Sequence, residues 1–224
     1  MWSKVALAVI DFQEDFCPPN GSLAVNDGRS IAPAINHLLS LPFALKVATR
    51  DYHPVDHISF ATQHPGAQPF VSQHTITSPE NKDETQTTTL WPPHCVQRTK
   101  GADLIQEFES SKVDLILDKG QDKRVESYSA FGPPFRKPPV AMSGFGTKLK
   151  DAGVTKLFVV GLAFDFCVKH TAIDAAREGY ETYVIEDATK AVDQSENALA
   201  ASRAEMEQAG VKIIHLDSDE LTMN

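Results

Sequence analysis

The chain has 224 residues, of which 42% are hydrophobic and 23% charged, a composition typical of a globular protein. The formal charge of −9 argues against a nucleic-acid partner, and three cysteines, an odd number, do not suggest a disulfide framework. No apolar run reaches the roughly 18 residues that a membrane helix needs, so no membrane partner is expected.

The first apolar stretch lies near the N-terminus, and we interpret it as a strand. It runs directly into Asp11, Glu14 and Asp15 without the small-residue cleavage site of a secretory signal. An intracellular location is therefore expected, in the cytoplasm, with the nucleus and the peroxisome as alternatives. In a reducing compartment the cysteines are free thiols, metal ligands or catalysts.

Short apolar runs rich in β-branched residues alternate with longer segments of helical periodicity. The predicted strands are Val5–Asp11, Ala44–Thr49, Val113–Asp118, Leu157–Leu162, Thr182–Glu186 and Val211–Leu216. The predicted helices are Ser30–Ser40, Gly101–Ser110, Ser143–Ala152, Val168–Gly179 and Gln194–Ala209. Several strands are apolar on both faces, which is typical of strands that are covered on two sides. The pattern predicts an α/β fold, a three-layer α/β/α sandwich with a mostly parallel central sheet, in one domain over residues 1–224.

Two stretches interrupt this alternation. Residues 54–93 are rich in His, Pro, Thr and Gln and have no apolar periodicity, and residues 132–139 (GPPFRKPP) cannot form a regular helix. Loops of this length are more often functional than idle connectors. For residues 78–89, a disordered insertion and a packed lid are both compatible with the sequence.

Polar side chains follow four of the predicted strands. Asp11 ends VALAVID, Asp51 and His53 follow KVATR, Lys119 ends VDLILDK, and Cys167 follows LFVVGLAFDF. Because the carboxyl ends of parallel strands meet at one edge of a sheet, where ligand crevices open, these side chains are expected to lie together. A single polar residue at a strand end commonly just meets solvent, but four with complementary chemistry indicate a site.

Cys167 is the expected nucleophile. It directly precedes the predicted helix Val168–Gly179, whose dipole should lower the thiol pKa, as should the ammonium of Lys119. Asp11 could take the thiol proton and later return it to a leaving group. The alternative for Cys167 is a buried packing role, and the other two cysteines, in proline-rich turns, are given a structural role.

Asp51 and His53 are the expected core of a metal site. A spacing of two puts both side chains on one side of an extended strand end, and a carboxylate with an imidazole suits Zn²⁺, Fe²⁺ or Mn²⁺. His57 and His94 are the candidates to complete it, and three ligands leave positions open for water or substrate. The alternative is that these are solvated loop side chains, as we expect for His64 and His74.

Five segments of the chain resemble the nicotinamidase/pyrazinamidase branch of the isochorismatase-like hydrolases. In chain order they are VIDFQEDF, TRDYHPVDHISF, LWPPHCV, LDKG and GLAFDFCVKHTAIDAA. The resemblance runs from about Val5 to Ile185, and the long insertion before Trp91 is most similar to eukaryotic, fungal-type members. It implies hydrolysis of nicotinamide, and of pyrazinamide in the same pocket, to the acid and ammonia. It also implies a role in NAD salvage.

The same resemblance implies roles for individual residues. The catalytic triad of the family maps onto Asp11, Lys119 and Cys167. Its metal ligands map onto Asp51, His53 and His94, with His57 as second choice, and the metal, most simply zinc, binds the pyridine nitrogen. Its substrate pocket maps onto Phe12, Phe16, Trp91, Tyr128 and Leu162. In similar proteins the Leu162–Ala163 peptide is cis, and the N–H groups of Ala163 and Cys167 form the oxyanion hole.

The implied reaction proceeds through a Cys167 acyl thioester, which a water, polarised at the metal, hydrolyses. One alternative is a related hydrolase that acts on another amide or on a vinyl ether such as isochorismate. The other is a catalytically idle metal-binding or scaffold protein. The complete sets of nucleophile and metal residues argue against vinyl ether chemistry, and the intact set of Asp11, Lys119 and Cys167 argues against an idle protein. The sequence is also compatible with a homo-oligomer, and the residues Phe164–Phe166 are interpreted as the turn that aims the thiol.

Overall fold

The computed structural model describes residues 2–221 and contains eight strands in that range. In chain order the strands are β1 (Val5–Ile10), β2 (Leu45–Asp51), β3 (Gln73–Thr77), β4 (Thr85–Thr89), β5 (Leu115–Lys119), β6 (Lys156–Leu162), β7 (Glu181–Lys190) and β8 (Lys212–Ile214). Six of them form one sheet in the order β5-β2-β1-β6-β7-β8, in which every neighbouring pair is parallel. The prediction of a mostly parallel sheet is confirmed.

Helices cover both faces of this sheet. They are α1 (Ala32–Leu39), α2 (Phe145–Asp151), α3 (Lys169–Arg177) and α4 (Glu196–Gln208). Side chains alternate across β1, so Leu7 joins the core that contains Ile35 of α1, whereas Ala8 joins the core that contains Phe145 of α2 and Met206 of α4. Two cores on opposite faces confirm the three-layer sandwich. Among the described residues, no helix combines the length and apolarity that crossing a membrane requires.

The predicted helix Gly101–Ser110 does not form. Only a single 3₁₀ turn, Lys100–Ala102, is present, although Ile105 and Phe108 are buried as the helical pattern required. The backbone N–H of Ile105 donates to the carbonyl of Phe12, 3.1 Å away, so the segment is bound to the chain that leaves β1. Tertiary hydrogen bonds have therefore outweighed a weak local helical preference.

The insertion at residues 54–93 is ordered as a packed element. Within it, β3 and β4 form an antiparallel hairpin that pairs Thr75 with Thr87. Ile76 of this hairpin is buried against Val125 and Phe135. Of the two interpretations of residues 78–89, the structure supports the packed one.

The sheet topology places the polar strand ends beside one another. β5, β2, β1 and β6 are adjacent, and β2 and β6 lie on opposite sides of β1. The chain leads from β1 to β2 on one side and from β6 to β7 on the other, so the connections from these two neighbouring strands proceed in opposite directions. A crevice opens at the carboxyl ends of the strands at such a point.

Candidate active site

The ammonium group of Lys119 is the centre of the site. It lies 2.9 Å from a carboxylate oxygen of Asp11 and 2.6 Å from one of Asp51, and both of these contacts are buried. It also donates to the carbonyl of Ser127 at 2.9 Å and to the Cys167 sulfur at 3.5 Å. Burial disfavours the ammonium, but the two carboxylates and the sulfur keep the pKa of Lys119 well above its usual value. A cation is thereby held against the candidate nucleophile.

Asp11 is fixed beside Lys119 by the side chain of Thr49. The Thr49 hydroxyl donates to a carboxylate oxygen of Asp11 at 2.6 Å and accepts from the Asp11 N–H at 3.1 Å. Burial raises the pKa of Asp11 to about 6, against the lowering effect of Lys119. A carboxylate of this basicity suits proton transfer near neutral pH.

Cys167 lies inside a π-helical turn, Phe164–Val168, which leads into α3, and not in front of the helix as predicted. Burial raises the pKa of its thiol well above the usual value, against the lowering effect of Lys119, and the carboxylates of Asp11 and Asp51 raise it further. The expected low thiol pKa is therefore not found in the resting protein. The ligand atoms of Asp11, Asp51 and Cys167 all lie within 4.8 Å of one another. The thiol thus rests protonated, with a base of raised pKa close by.

Asp51, His53 and His94 form the candidate metal centre. One oxygen of Asp51 lies 3.5 Å from Nε2 of His53 and 4.0 Å from Nε2 of His94. Each Nδ1 lies 2.8 Å from a backbone carbonyl, that of Gly120 for His53 and that of Pro92 for His94. Because a carbonyl only accepts, each Nδ1 carries the proton, and each Nε2 presents a lone pair to the carboxylate.

This arrangement fits a divalent cation. Nε2 of His53 is a buried polar atom without a hydrogen-bond partner among residues 2–221. Two lone pairs and a carboxylate oxygen that converge in a buried space repel one another unless a positive charge lies between them. Burial opposes ionisation of Asp51, but the ammonium of Lys119 holds its pKa well below the usual value, so it is available as an anionic ligand.

His57 lies next to this centre but both of its ring nitrogens are engaged by the protein. Its Nδ1 is 2.8 Å from the Ser59 hydroxyl, and its Nε2 is 3.1 Å from the carbonyl of Val125. Its ring is 4.1 Å from that of His53, centroid to centroid. In this structure His57 packs beside the ring of His53 and supports the candidate ligands.

Two supporting residues were not identified from the sequence. Gln13 binds both backbone groups of Asp51, accepting from its N–H at 2.8 Å and donating to its carbonyl at 2.8 Å. Gly120 has φ +66°, and a Cβ there would lie only 2.4 Å from Cε1 of His53. The glycine directly after Lys119 could have indicated a supporting role for Gly120 from the sequence, whereas a single Gln in VIDFQEDF could not have indicated one for Gln13.

The nucleophile and two of the three candidate ligands, Asp51 and His94, border one pocket. Its lining residues are Phe16, Leu23, Asp51, Trp91, His94, Tyr128, Ala163, Phe166, Cys167 and Val192. Phe16, Trp91 and Tyr128 were predicted, whereas Leu23, Phe166 and Val192 were not. Aromatic and apolar walls around a few polar groups are typical of a site for a small planar ligand.

Two residues predicted to bind substrate lie elsewhere. Phe12 is fully buried and packs edge-on against Phe108, with ring centroids 5.9 Å apart. Leu162 is also fully buried, in the same core. Phe12 lies there because the chain turns at Asp11, which has φ +46° and directs the next side chain away from the pocket.

Two residues of the turn before the thiol, Asp165 and Phe166, have specific roles. The peptide bond Leu162–Ala163 is cis, as the resemblance implied. The Asp165 carboxylate accepts from the N–H groups of Val192 and Asp193 at 2.9 and 3.0 Å, and thus fixes the loop that contributes Val192 to the pocket. Phe166 is itself a wall of the pocket, so this segment does more than aim the thiol.

Comparison with known proteins identifies relatives along nearly the whole chain. The family described as the isochorismatase domain matches residues 5–218. A nicotinamidase of Acinetobacter baylyi is 41% identical, covering 95% of this chain and 92% of its own. The structure of the yeast nicotinamidase bound to the inhibitor nicotinaldehyde superposes with a TM-score of 0.88 at 32% identity, covering 94% and 99% of the two chains. A pyrazinamidase of Pyrococcus horikoshii in complex with zinc gives 0.68 at 30% identity, covering 95% and 99%. Bacterial, archaeal and fungal relatives all match, and the chain belongs to the isochorismatase family.

Proposed function

We propose that this protein is a nicotinamidase, which hydrolyses nicotinamide, and pyrazinamide in the same pocket, to the carboxylic acid and ammonia. The observation that carries the proposal is the contact of Lys119 with Asp11, Asp51 and Cys167 at once. This contact joins the nucleophile Cys167, the base Asp11 and the candidate metal ligand Asp51 beside one aromatic pocket. The nicotinamidase relatives support the choice of substrate.

The reaction begins with proton transfer from the Cys167 thiol to Asp11, while the ammonium of Lys119 stabilises the thiolate. The sulfur attacks the carboxamide carbon, and the N–H groups of Ala163 and Cys167 hold the developing oxyanion. Asp11 returns its proton to the amide nitrogen, and the C–N bond breaks to release ammonia and leave a thioester. Asp11 then takes a proton from water, whose oxygen attacks the thioester. The C–S bond breaks to release the acid, and Asp11 returns the proton to the sulfur, which restores the thiol.

Asp51, His53 and His94 would hold one divalent metal, with zinc as the first choice and Fe²⁺ or Mn²⁺ as alternatives. When bound, the metal supplies a Lewis acid for the pyridine nitrogen of the substrate. The zinc complex of a relative and the unpaired Nε2 of His53 support this choice. The walls formed by Trp91 and Tyr128 orient the ring.

The same proposal extends to the cellular setting. Residues 1–224 act as one domain, in the cytoplasm, in the salvage of nicotinamide for NAD. All three cysteines are free and buried, which suits a reducing compartment. The only partner required is the small-molecule substrate.

The experiment is an assay of ammonia release from nicotinamide, with and without a metal chelator. The proposal predicts release by the wild type, loss on chelation and recovery when zinc is restored. Release from other amides alone would instead indicate a related amide hydrolase. A metal-containing protein that releases no ammonia from any amide would indicate a catalytically idle metal-binding protein.

A further inference from the structure

The hairpin β3–β4 is joined to the pocket by a chain of three hydrogen bonds. The indole Nε1–H of Trp91 donates to the Tyr128 hydroxyl at 2.9 Å. That hydroxyl lies 2.6 Å from Oγ1 of Thr88, on β4. Oγ1 of Thr88 in turn donates to the carbonyl of Thr89 at 3.3 Å.

The Tyr128 hydroxyl lies between two partners. It accepts from the indole N–H of Trp91, which can only donate, and it shares a second hydrogen bond with the Thr88 hydroxyl, in which either oxygen can be the donor. Burial raises the pKa of Tyr128 well above its usual range, so the hydroxyl keeps its proton. Thr88 is only 3% exposed, and water cannot easily replace it as the partner of Tyr128.

The two aromatic residues joined by this chain are walls of the substrate pocket. Phe166 lies between them, with its ring centroid 5.0 Å from that of Trp91 and 5.4 Å from that of Tyr128. A rotation of Tyr128 would therefore alter the space open to a flat ring. The Thr88 hydroxyl of β4 lies outside the pocket. It holds the polar end of Tyr128 directly and that of Trp91 through Tyr128.

We propose that Thr88 is a positioning residue, which holds the Tyr128 and Trp91 walls at the spacing that binds the aromatic ring of the substrate. Thr88 touches neither the substrate nor the reacting atoms, and it acts only through the Tyr128 hydroxyl. The proposal gives the hairpin a role in substrate affinity, and its kinetic part rests on the proposed nicotinamidase activity.

The test compares Thr88→Val with Thr88→Ser and Thr87→Val. Valine keeps the shape of threonine but removes the hydroxyl, so Thr88→Val should raise KM for nicotinamide about 3–10-fold, the equivalent of one lost hydrogen bond, with kcat within about twofold. Thr88→Ser restores the hydroxyl and should restore KM. Thr87→Val removes an exposed hydrogen bond of 3.0 Å to Thr75 on the other face of the same hairpin, and should leave KM unchanged.

A second measurement does not depend on activity. In NMR spectra, solvent exchange of the Trp91 indole N–H should be about 3–10-fold faster in Thr88→Val than in the wild type or Thr87→Val, because the chain that holds it is broken. Unchanged exchange in Thr88→Val, or an equal rise in KM in Thr87→Val, would overturn the proposal. A wild type that releases no ammonia but shows this exchange pattern would refute the proposed substrate and leave the positioning role of Thr88 supported.

Discussion

The Nζ atom of Lys119 lies 3.5 Å from the sulfur of Cys167, and both groups are buried. The ammonium of Lys119 also joins Asp11 to Asp51, since it is within 2.9 Å of both carboxylates. The lysine therefore stabilises the resting site as well as the thiolate that forms in the reaction.

Replacement of Lys119 by methionine should damage both stability and turnover. Two buried carboxylates lose their shared cation, which should cost about 3–5 kcal/mol of unfolding free energy, and kcat should fall about 10²–10⁴-fold. Urea denaturation and the ammonia assay measure the two effects. Lys123→Met, which removes an exposed ion pair with Asp56, is the control and should change neither quantity measurably. Near-normal turnover by Lys119→Met would refute the role of the lysine.

Gly120→Ala should weaken metal binding by displacing His53. The new methyl group would lie 2.4 Å from the His53 ring, so the ring must move away from the other two ligands. Gly153→Ala is a matched control, because Gly153 has φ +65° but nothing within 4 Å of its Cβ position. Both variants should lose about 1–2 kcal/mol to the left-handed backbone conformation, but only Gly120→Ala should lose metal on elemental analysis. Equal metal content in the two variants would contradict the assignment of His53.

Asp165→Asn should raise KM through the loop that it binds. An amide has one oxygen, so one of the N–H groups of Val192 and Asp193 loses its acceptor, at a cost of about 1–3 kcal/mol in unfolding free energy. Since Val192 lines the pocket, the loosened loop should raise KM for nicotinamide. Asp193→Asn affects only an exposed bond to the Ser195 N–H and is the control. The prediction fails if the two variants have the same KM.

The decrease of kcat/KM at low pH, the acidic limb of the pH profile, should reflect protonation of Asp11. Burial raises its pKa to about 6, so kcat/KM of the zinc-loaded enzyme should fall as the pH drops through this value and the base becomes protonated. The Thr49 hydroxyl donates to the Asp11 carboxylate and favours the charged form. Thr49→Val should therefore move the limb to higher pH, because the charged form loses a donor. A limb that stays in place or moves to lower pH would contradict this assignment.

The part of the site that lies at strand ends could be predicted from the sequence. Asp11, Asp51, Lys119 and Cys167 each follow a short apolar run, and parallel strands bring their carboxyl ends to one edge. This reasoning requires only the strand pattern, and the pattern is strong because the strands are buried on both faces. The same reasoning located the pocket. Phe12 was placed there by the resemblance, which does not orient a side chain, and it lies in the core.

The features that were missed depend on contacts between distant segments. Gln13 acquires its role only when its amide meets the backbone of Asp51, and residues 101–110 lose their helix to a hydrogen bond with Phe12. The hairpin β3–β4 carries Thr and Gln on most positions, so its single buried apolar side chain, Ile76, left no periodic signal. Local pattern does not report such long-range contacts.

The most direct test of the account is mass spectrometry of the protein after rapid acid quenching of a reaction with nicotinamide. The account predicts a nicotinoyl group attached through a thioester to the peptide that contains Cys167, and no such adduct in Cys167→Ala, which should also release no ammonia while retaining its metal. Substantial ammonia release by Cys167→Ala, or an acyl group on another residue, would contradict the assignment of Cys167 as the nucleophile.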